Sequence, residues 1–351
     1  MNSKQRVQSA VIHQQPDRVP ITFDAEAEVY EALYKYLHLE TKEQLFDRLH
    51  VDTWMLLPKN FIYPDEQLNS RDKTSIWGYQ TRFTPYEGGA YDELVYSPLA
   101  GKHNLSDIDN HPWPADDLVQ FSHYTDQSHA QHNRAIIGVF TWGAYFIATH
   151  VRGMEDLMLD FVTRKDYARH LIDTIAEKSY HYLDTMLDQH SDDIDIVYMA
   201  DDYCSQLGPL FSPAAFEEFV MPYLSRFSDR IHASGKKFLL HVCGSVRALL
   251  PMIIEAGVDM LEPIQIRAKG MEPAGLKKDF GDKMCFYGGM DLQRVLNTGT
   301  VRQVQDETKR LIDILNQEGG YVFGPGHTYI QIDAPVENIL AMYDTAYTHR
   351  S

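Results

Sequence analysis

Short apolar runs recur along the chain, and most of them are followed by a longer segment with helical periodicity. The runs lie at 19–25, 51–57, 135–140, 194–202, 236–244, 258–263, 283–291 and 320–327. Near-continuous hydrophobicity is typical of parallel strands that are covered on both faces. Eight such strands alternating with helices predict an α/β fold, specifically a (β/α)8 barrel of the TIM type.

Capping signals mark several of the helical segments between these runs. Ser212 and Pro213 provide an N-cap and a first-turn proline. Thr300 and Gln303 have the spacing of a capping box ahead of an amphipathic stretch. These signals predict helices that start shortly after both positions.

Residues 58–126 do not follow the alternating pattern. This segment is rich in Tyr, Asp, Pro and Gly, and it contains sequences such as "FTPYEGGAYDELVY". We interpret it as an irregular insertion with a hairpin or two that covers the C-terminal face of the strands. The predicted organisation is therefore one barrel domain over residues 1–351, with 58–126 as a cap.

Composition narrows the classes of function. Apolar residues make up 44% of the 351 residues, and the formal net charge is −18. The acidic balance argues against nucleic acid as a partner, and no apolar run is long enough to span a membrane. Three cysteines and an N-terminus without an apolar signal core predict a cytoplasmic protein with free thiols.

Polar side chains cluster at the ends of the predicted strands, where barrel enzymes carry their chemistry. Six of the eight predicted strands end in a carboxylate, an imidazole or a thiol. These residues are Asp24, Asp201, Asp202, His241, Cys243, Glu262, Asp291 and His327. If the barrel closes, they converge on one rim.

The stretch "FLLHVCGSV" at 238–246 contains the sharpest of these signals. On a strand, His241 and Cys243 point to the same face, and an imidazole beside a thiol is half of a zinc site. His327, on the last predicted strand, would be the third ligand. The alternative is that Cys243 is a small buried residue and His241 a hydrogen-bonded core residue.

Two other groups have competing interpretations. The adjacent carboxylates of Asp201 and Asp202 would repel each other, which raises one pKa as a general acid requires. Alternatively, one caps a turn and the other faces water. Cys204 and Cys285 are interpreted as passive thiols.

Several motifs together make the chain resemble the uroporphyrinogen decarboxylase superfamily along nearly its whole length. They include "PDRVP", "GVFTWGAYFIATHVRGMEDLMLDF", "DDYCSQLGPLFSPAAFEEFVMPY", "HVCG", "FYGGMD", "PGH" and "PVENILAMYD". This superfamily contains a heme-pathway decarboxylase and zinc-dependent, corrinoid-linked methyltransferases on a (β/α)8 barrel. The resemblance therefore implies the same barrel here.

The motifs favour the methyltransferase branch. The decarboxylase has an arginine-rich N-terminal segment, whereas 21–33 reads "ITFDAEAEVYEAL" and contains no arginine. Tyr145 and His327 are similar to decarboxylase positions. His241 and Cys243 match the zinc signature of the methyltransferases, in which the third ligand is typically a cysteine where this chain has His327.

The resemblance implies a zinc-dependent methyltransferase or demethylase that moves a methyl group between a small substrate and a corrinoid protein. The expected roles are metal binding by His241, Cys243 and His327, catalysis by Asp201, Asp202, Glu262 and Asp291, and substrate binding by Asp24, Tyr145 and Tyr287. A homodimer is one expected assembly.

Two alternatives stay open at this point. The first is a metal-independent decarboxylase that acts on a porphyrinogen or a smaller acid through Asp24, Tyr145 and His327. The second is a non-catalytic module that binds a tetrapyrrole or a corrinoid protein.

Overall fold

The computed structural model of the chain describes residues 1–86 and 89–350. The strands in this part are β1 (Thr53–Leu56), β2 (Asp72–Thr74), β3 (Gln80–Tyr86), β4 (Gly89–Tyr96), β5 (Ala135–Trp142), β6 (Ile196–Ala200), β7 (Lys237–His241), β8 (Met260–Glu262), β9 (Cys285–Met290) and β10 (Tyr321–Pro325). Seven of them form a parallel sheet in the order β1-β5-β6-β7-β8-β9-β10.

The helices pack around this sheet. In the described part they are α1 (Ser3–Val11), α2 (Ala27–Leu37), α3 (Lys42–Arg48), α4 (Leu105–Asp109), α5 (Tyr124–Ala130), α6 (Ala144–Arg152), α7 (Met154–Thr163), α8 (Lys165–His190), α9 (Pro213–Phe219), α10 (Met221–Ala233), α11 (Leu250–Glu255), α12 (Pro273–Phe280), α13 (Val301–Leu315) and α14 (Val336–Thr348). Ser212 caps α9, and Thr300 and Gln303 form the predicted capping box at α13.

The first predicted strand, 19–25, is not a regular strand, so this part of the prediction is wrong. It forms only isolated parallel bridges, such as Ile21 with Phe323. It nevertheless lies between the two ends of the sheet, because the Thr22 N–H donates to the Phe323 carbonyl at 2.9 Å and the Asp52 N–H donates to the Ile21 carbonyl at 2.7 Å. Pro20 has no N–H to offer, which shortens the ladder. The segment bridges β10 and β1 and completes the ring.

A small cavity, about 30 Å³ in volume, lies within this ring. Each of the seven parallel strands contributes at least one lining residue: Thr53, Met55, Ile137, Tyr198, Leu239, Glu262, Tyr287 and Pro325. The bridging segment contributes Thr22 and Asp24. Side chains alternate along parallel strands, so one face of every strand points into the ring. The predicted α/β, TIM-like fold is confirmed.

The antiparallel strands β2, β3 and β4 form a second sheet inside the predicted insertion. The insertion packs against the helices that follow β5: the Leu99 N–H donates to the Val151 carbonyl at 2.9 Å, and the Trp77 ring contacts Tyr182 on α8. None of the residues that line the ring cavity comes from 58–126. The roles of this segment as a cap and of 1–351 as one domain stay predictions.

Within residues 1–86 and 89–350, no helix combines the length and the apolar character needed to cross a bilayer.

Candidate metal centre and active-site cavity

The centre of the candidate site is His241, the last residue of β7. Strand β8 ends beside it at Glu262, and the two residues are direct partners in the parallel register. The imidazole Nδ1 lies 2.5 Å from Oε2 of Glu262, and the Tyr198 hydroxyl donates to the same oxygen at 3.3 Å. Because the carboxylate oxygen of Glu262 accepts, Nδ1 donates to it, and Nε2 faces Cys243 and Asp202.

Cys243 lies beyond the end of β7, yet its side chain meets that of His241 as predicted. Its Sγ lies 3.2 Å from Nε2 of His241. Oδ1 of Asp202 lies 3.5 Å from the same nitrogen and accepts the Cys243 N–H at 3.1 Å. One nitrogen, one sulfur and one carboxylate oxygen therefore gather within 4.8 Å of one another.

The charges of His241 and of the acidic groups around it favour each other's ionised forms. Burial raises the pKa of Cys243, but the positive charge of His241 and hydrogen bonds to His241 and His327 outweigh it, so the pKa falls below its usual value. Burial alone would lower the pKa of His241, whereas the acidic groups around it, Tyr198 and Glu262 foremost, raise it well above the usual value. The thiol is thus disposed to ionise.

The donor set fits a zinc ion. Ligands about 2.0–2.3 Å from a tetrahedral zinc lie roughly 3.3–3.6 Å from one another. The distances from His241 Nε2 to Cys243 Sγ and to Asp202 Oδ1, 3.2 and 3.5 Å, agree with that spacing. Glu262 holds the remote imidazole nitrogen, as the outer carboxylate of a histidine ligand commonly does.

His327 lies two residues after β10 and reaches the same place. A hydrogen bond to Cys243 raises the pKa of His327 despite its burial. Its ring is not one of the three donors within 4.8 Å, a group made of Asp202, His241 and Cys243. His327 also lines the ring cavity together with Thr328, whose hydroxyl lies 3.2 Å from Nδ1 of His241. We call these residues, Asp202, His241, Cys243, Glu262 and His327, the thiol–imidazole cluster.

Asp201 lies next to Asp202 in the sequence but in a different environment. Its carboxylate is fully buried and accepts hydrogen bonds from Tyr203 at 2.9 Å, from Tyr223 at 2.6 Å and from the N–H of Phe146 at 2.7 Å. Burial raises the pKa of Asp201 to about 7. The predicted carboxylate pair is therefore divided, and only Asp202 belongs to the thiol–imidazole cluster.

Gly143, the N-cap of α6, makes room for the Asp201 side chain. A Cβ at this position would lie 1.9 Å from Oδ2 of Asp201. Tyr145 packs nearby, with its ring 5.7 Å from that of Tyr203, and its buried hydroxyl has no hydrogen-bond partner among the described residues. We call Asp201, Tyr145, Tyr203 and Tyr223 the phenol cluster. Tyr145, expected to bind substrate, is thus part of this packing.

The remaining predicted residues are dispersed around the rim. Tyr287 lines the ring cavity and is hydrogen-bonded to Thr22, and Asp24 lines the same cavity. Asp291 pairs with Arg267 at 2.6 Å and lines a second cavity, on which His327 also borders. The thiols of Cys204 and Cys285 are both buried, and burial raises both pKa values to about 12.

Two contributors, Tyr198 and Gln265, were missed by sequence reasoning. Asp202 was predicted as a catalytic residue, and its Oδ1 lies 3.5 Å from Nε2 of His241. Tyr198 donates to Glu262 from the middle of β6, and its alternation with Met199 was a signal for an inward-facing side chain. Gln265 accepts the Gly244 N–H at 3.0 Å and donates toward Cys243 Sγ at 3.6 Å, and nothing in its local sequence indicated this.

Comparison with known proteins places the chain in a family. A sequence model of the family "Uroporphyrinogen decarboxylase (URO-D)" matches residues 113–349. The chain belongs to this family, as its motifs predicted.

Individual relatives are more distant and include both activities. The chain is 25% identical over 201 residues to a methylcobamide:CoM methyltransferase, MtaA, of Methanosarcina barkeri, which covers 57% of this chain and 54% of that protein. It is also 25% identical over 200 residues to a uroporphyrinogen decarboxylase of Aromatoleum aromaticum, covering 53% and 49%. The matched region thus spans about half the length of these curated relatives.

The fold comparison extends over the whole chain. A methyltransferase structure from Methanosarcina mazei superposes with a TM-score of 0.70 at 17% sequence identity, covering 99% of this chain and 98% of that one. At this identity the similarity establishes the fold and leaves the reaction to be argued from the site.

Proposed function

We propose that the protein is a zinc-dependent methyltransferase that moves a methyl group between a small substrate and a corrinoid cofactor carried by a partner protein. The observation that carries this proposal is the contact of Cys243 Sγ with His241 Nε2 at 3.2 Å, with Asp202 3.5 Å from the same nitrogen. The similarity to a methylcobamide:CoM methyltransferase agrees with it.

His241, Cys243 and a third donor would hold the ion. Asp202 and His327 are the candidates for that third position, since the first lies at ligand distance and the second contacts the thiol. When bound, zinc would act as a Lewis acid that lowers the pKa of a substrate thiol or polarises a leaving group.

The surrounding residues perform the supporting tasks. Glu262 holds the proton on Nδ1 of His241 and so keeps Nε2 available. Tyr198 and Thr328 restrain these two side chains by hydrogen bonds. The cavity within the ring borders the cluster through Glu262 and His327. A substrate bound at the ion would therefore lie beside this end of the cavity.

A corrinoid protein would dock over the rim where the cluster lies, because the reacting cobalt has to approach the substrate directly. Gln206, Gln265 and Gln331 line the second cavity beside His327 and offer amide groups at that rim. We expect this face to be the docking side.

Decarboxylation is the second candidate, favoured by one observation: Asp24 and His327 line the same cavity. Burial raises the pKa of Asp24 to about 6, so its carboxyl can exchange a proton near neutral pH. Turnover of uroporphyrinogen that persists in the presence of a chelator would favour this candidate.

Metal content tests the main proposal. The purified wild type should contain about one zinc per chain, and Cys243→Ala should lose it, because a site of three protein ligands depends on each of them. Cys285→Ala is the matched control, since the charges that act on the buried thiol of Cys285 are those of Lys277, Asp259 and Lys237 rather than those of the cluster, and this variant should retain zinc. A wild type that takes up no zinc, measured by atomic emission after dialysis against the metal, would refute the proposal.

Activity provides the second measurement. Zinc-loaded wild type should accelerate the transfer of the methyl group from methylcobalamin to a thiol, followed by the change in cobalamin absorbance. Cys243→Ala should be inactive and Cys285→Ala active.

A further inference from the structure

Helix α7 carries apolar side chains on both of its faces. Leu157 and Phe161 are buried in the core, where the Phe161 ring stacks on that of Phe219 at 4.5 Å. A surface helix normally turns polar side chains toward water, and a helix that is apolar all round is normally covered all round. The solvent side of α7 instead carries four further apolar side chains: Met154, Met158, Leu159 and Val162.

These side chains form a continuous surface that is open within residues 1–86 and 89–350. Val162 is 78% exposed, Met154 and Leu159 are each 51% exposed, and the half-buried Met158 lies one helical turn from Met154 and from Val162. Leu105, the first residue of α4, extends this surface because it lines a groove together with Val162. We call these five residues the α7 surface. A contiguous exposed apolar surface is typical of a contact with another protein.

The two ends of the α7 surface carry opposite charges. Glu155 lies in the first turn of α7 and is exposed, and its carboxylate has no ion pair in the described part of the chain. At the other end, Arg164 and Lys165 line the groove beside Val162, together with one acid, Asp166. An acidic end and a basic end on one helix make the surface complementary to a copy of itself that runs in the opposite direction.

The basic groups of this groove keep donors for a further acid. Lys165 is 54% exposed and contacts one carboxylate, that of Glu218 at 2.6 Å, which leaves two of its three N–H donors. Arg164 donates to Asp160 through Nε and to Nδ1 of His103 through Nη1 at 2.7 Å. A carboxylate that enters the groove therefore meets cationic donors that are still accessible.

We propose that the α7 surface is the interface of a homodimer, in which the α7 helices of two copies pack antiparallel across a twofold axis near Leu159. Glu155 of each copy then lies beside Arg164 and Lys165 of the other, and Met154 covers the apolar part of the groove. A twofold axis satisfies both ends at once, and the antiparallel helix dipoles attract each other. The inference is independent of the proposed reaction, because none of these residues lines the ring cavity.

Sedimentation equilibrium of the full chain tests this assembly. The wild type should be a dimer at micromolar concentration, and Val162→Asp should raise the dissociation constant about a hundredfold, because it would place an unpaired charge in the interface. Val301→Asp is the matched control, since Val301 is 40% exposed at the start of α13, which packs against α12 and α14. Both variants should unfold at the temperature of the wild type. A monomeric wild type, or a dimer that survives in Val162→Asp, would overturn the inference.

Charge reversal tests the antiparallel orientation. Glu155→Lys should weaken the dimer about five- to tenfold at low salt, because it would face the cations at the basic end of the other copy. Combining Glu155→Lys with Lys165→Glu should restore most of the affinity. A double variant that dimerises more weakly than Glu155→Lys alone would overturn the inference. So would a monomeric wild type that sediments with phosphatidylglycerol vesicles, because a lipid surface would then cover α7.

Discussion

The thiol–imidazole cluster and the phenol cluster contain adjacent residues of the same chemical type with different environments. Asp202 faces His241 and Cys243, where the hydrogen bond and positive charge of His241 overcome burial and lower its pKa. Asp201 is enclosed by Tyr203, Tyr223 and the start of α6, where burial raises its pKa to about 7.

The two clusters differ in how completely their polar groups are satisfied. Three donors already occupy the Asp201 carboxyl, which leaves no room for a ligand. In the thiol–imidazole cluster, sulfur, nitrogen and oxygen donors face one another at ligand spacing. A satisfied buried carboxylate stabilises the fold, whereas nitrogen, sulfur and oxygen atoms that converge at ligand spacing favour a cation. We therefore expect changes in the first cluster to alter stability and changes in the second to alter metal binding.

Asp201→Ala should produce the largest effect. It would leave the hydroxyls of Tyr203 and Tyr223 and the Phe146 N–H without an acceptor in the interior, at a cost of about 3–4 kcal/mol in the free energy of unfolding. Urea denaturation measures this loss, and zinc affinity should change little. If Asp201→Ala were as stable as the wild type but unable to bind zinc, Asp201 would serve metal binding rather than the fold. Asp201→Asn should recover part of the stability that Asp201→Ala loses.

Gly143→Ala tests the phenol cluster at its contact with the start of α6. The added Cβ would lie 1.9 Å from Oδ2 of Asp201 and displace the carboxyl, so we expect a loss of about 2–3 kcal/mol. Gly275→Ala is the control, because its Cβ would come no closer than 3.4 Å to Arg247 and alanine favours a helix. Thermal unfolding that shows no difference between the two variants would contradict the described packing.

Glu262→Gln should act on metal affinity instead. The amide cannot hold the proton on Nδ1 of His241 as a carboxylate does, so zinc affinity should fall about 10- to 100-fold. Competition with a chromophoric chelator measures this change, with Asp291→Asn as the control because Asp291 pairs with Arg267 outside the cluster. Unchanged zinc affinity would show that Glu262 does not orient the ligand.

The smallest effect concerns Asp24 and pH. Burial raises the pKa of Asp24 from 3.8 to about 6 in the folded chain. The buried carboxyl therefore contributes its full stabilisation below about pH 3.8, and this contribution is lost as the pH rises through 6. Between pH 4 and 7 the wild type should therefore lose about 1–2 kcal/mol relative to Asp24→Asn. Parallel unfolding curves for both proteins across this window would show that Asp24 titrates normally.

Much of the fold could be predicted because the physical signal is local. The apolar runs of β5, β6, β7, β9 and β10 are buried on both faces, and continuous hydrophobicity reports that burial directly. His241 and Cys243 were found for a similar reason, since their spacing follows from strand geometry. The segment 19–25 was harder, because hydrophobicity indicates burial but not how many ladder hydrogen bonds a buried segment forms.

The amino-acid sequence by itself determined which segments are buried, that the chain belongs to the URO-D family, and that the imidazole of His241 and the thiol of Cys243 lie together at one strand end. Only the tertiary structure decided that Asp202 joins them while Asp201 turns into the phenol cluster, because side-chain direction past a strand end depends on the neighbouring helices. It also decided that Lys42 and Tyr198 line one cavity with Glu262 and His327. Those residues are distant along the chain, and only closure of the ring brings them together.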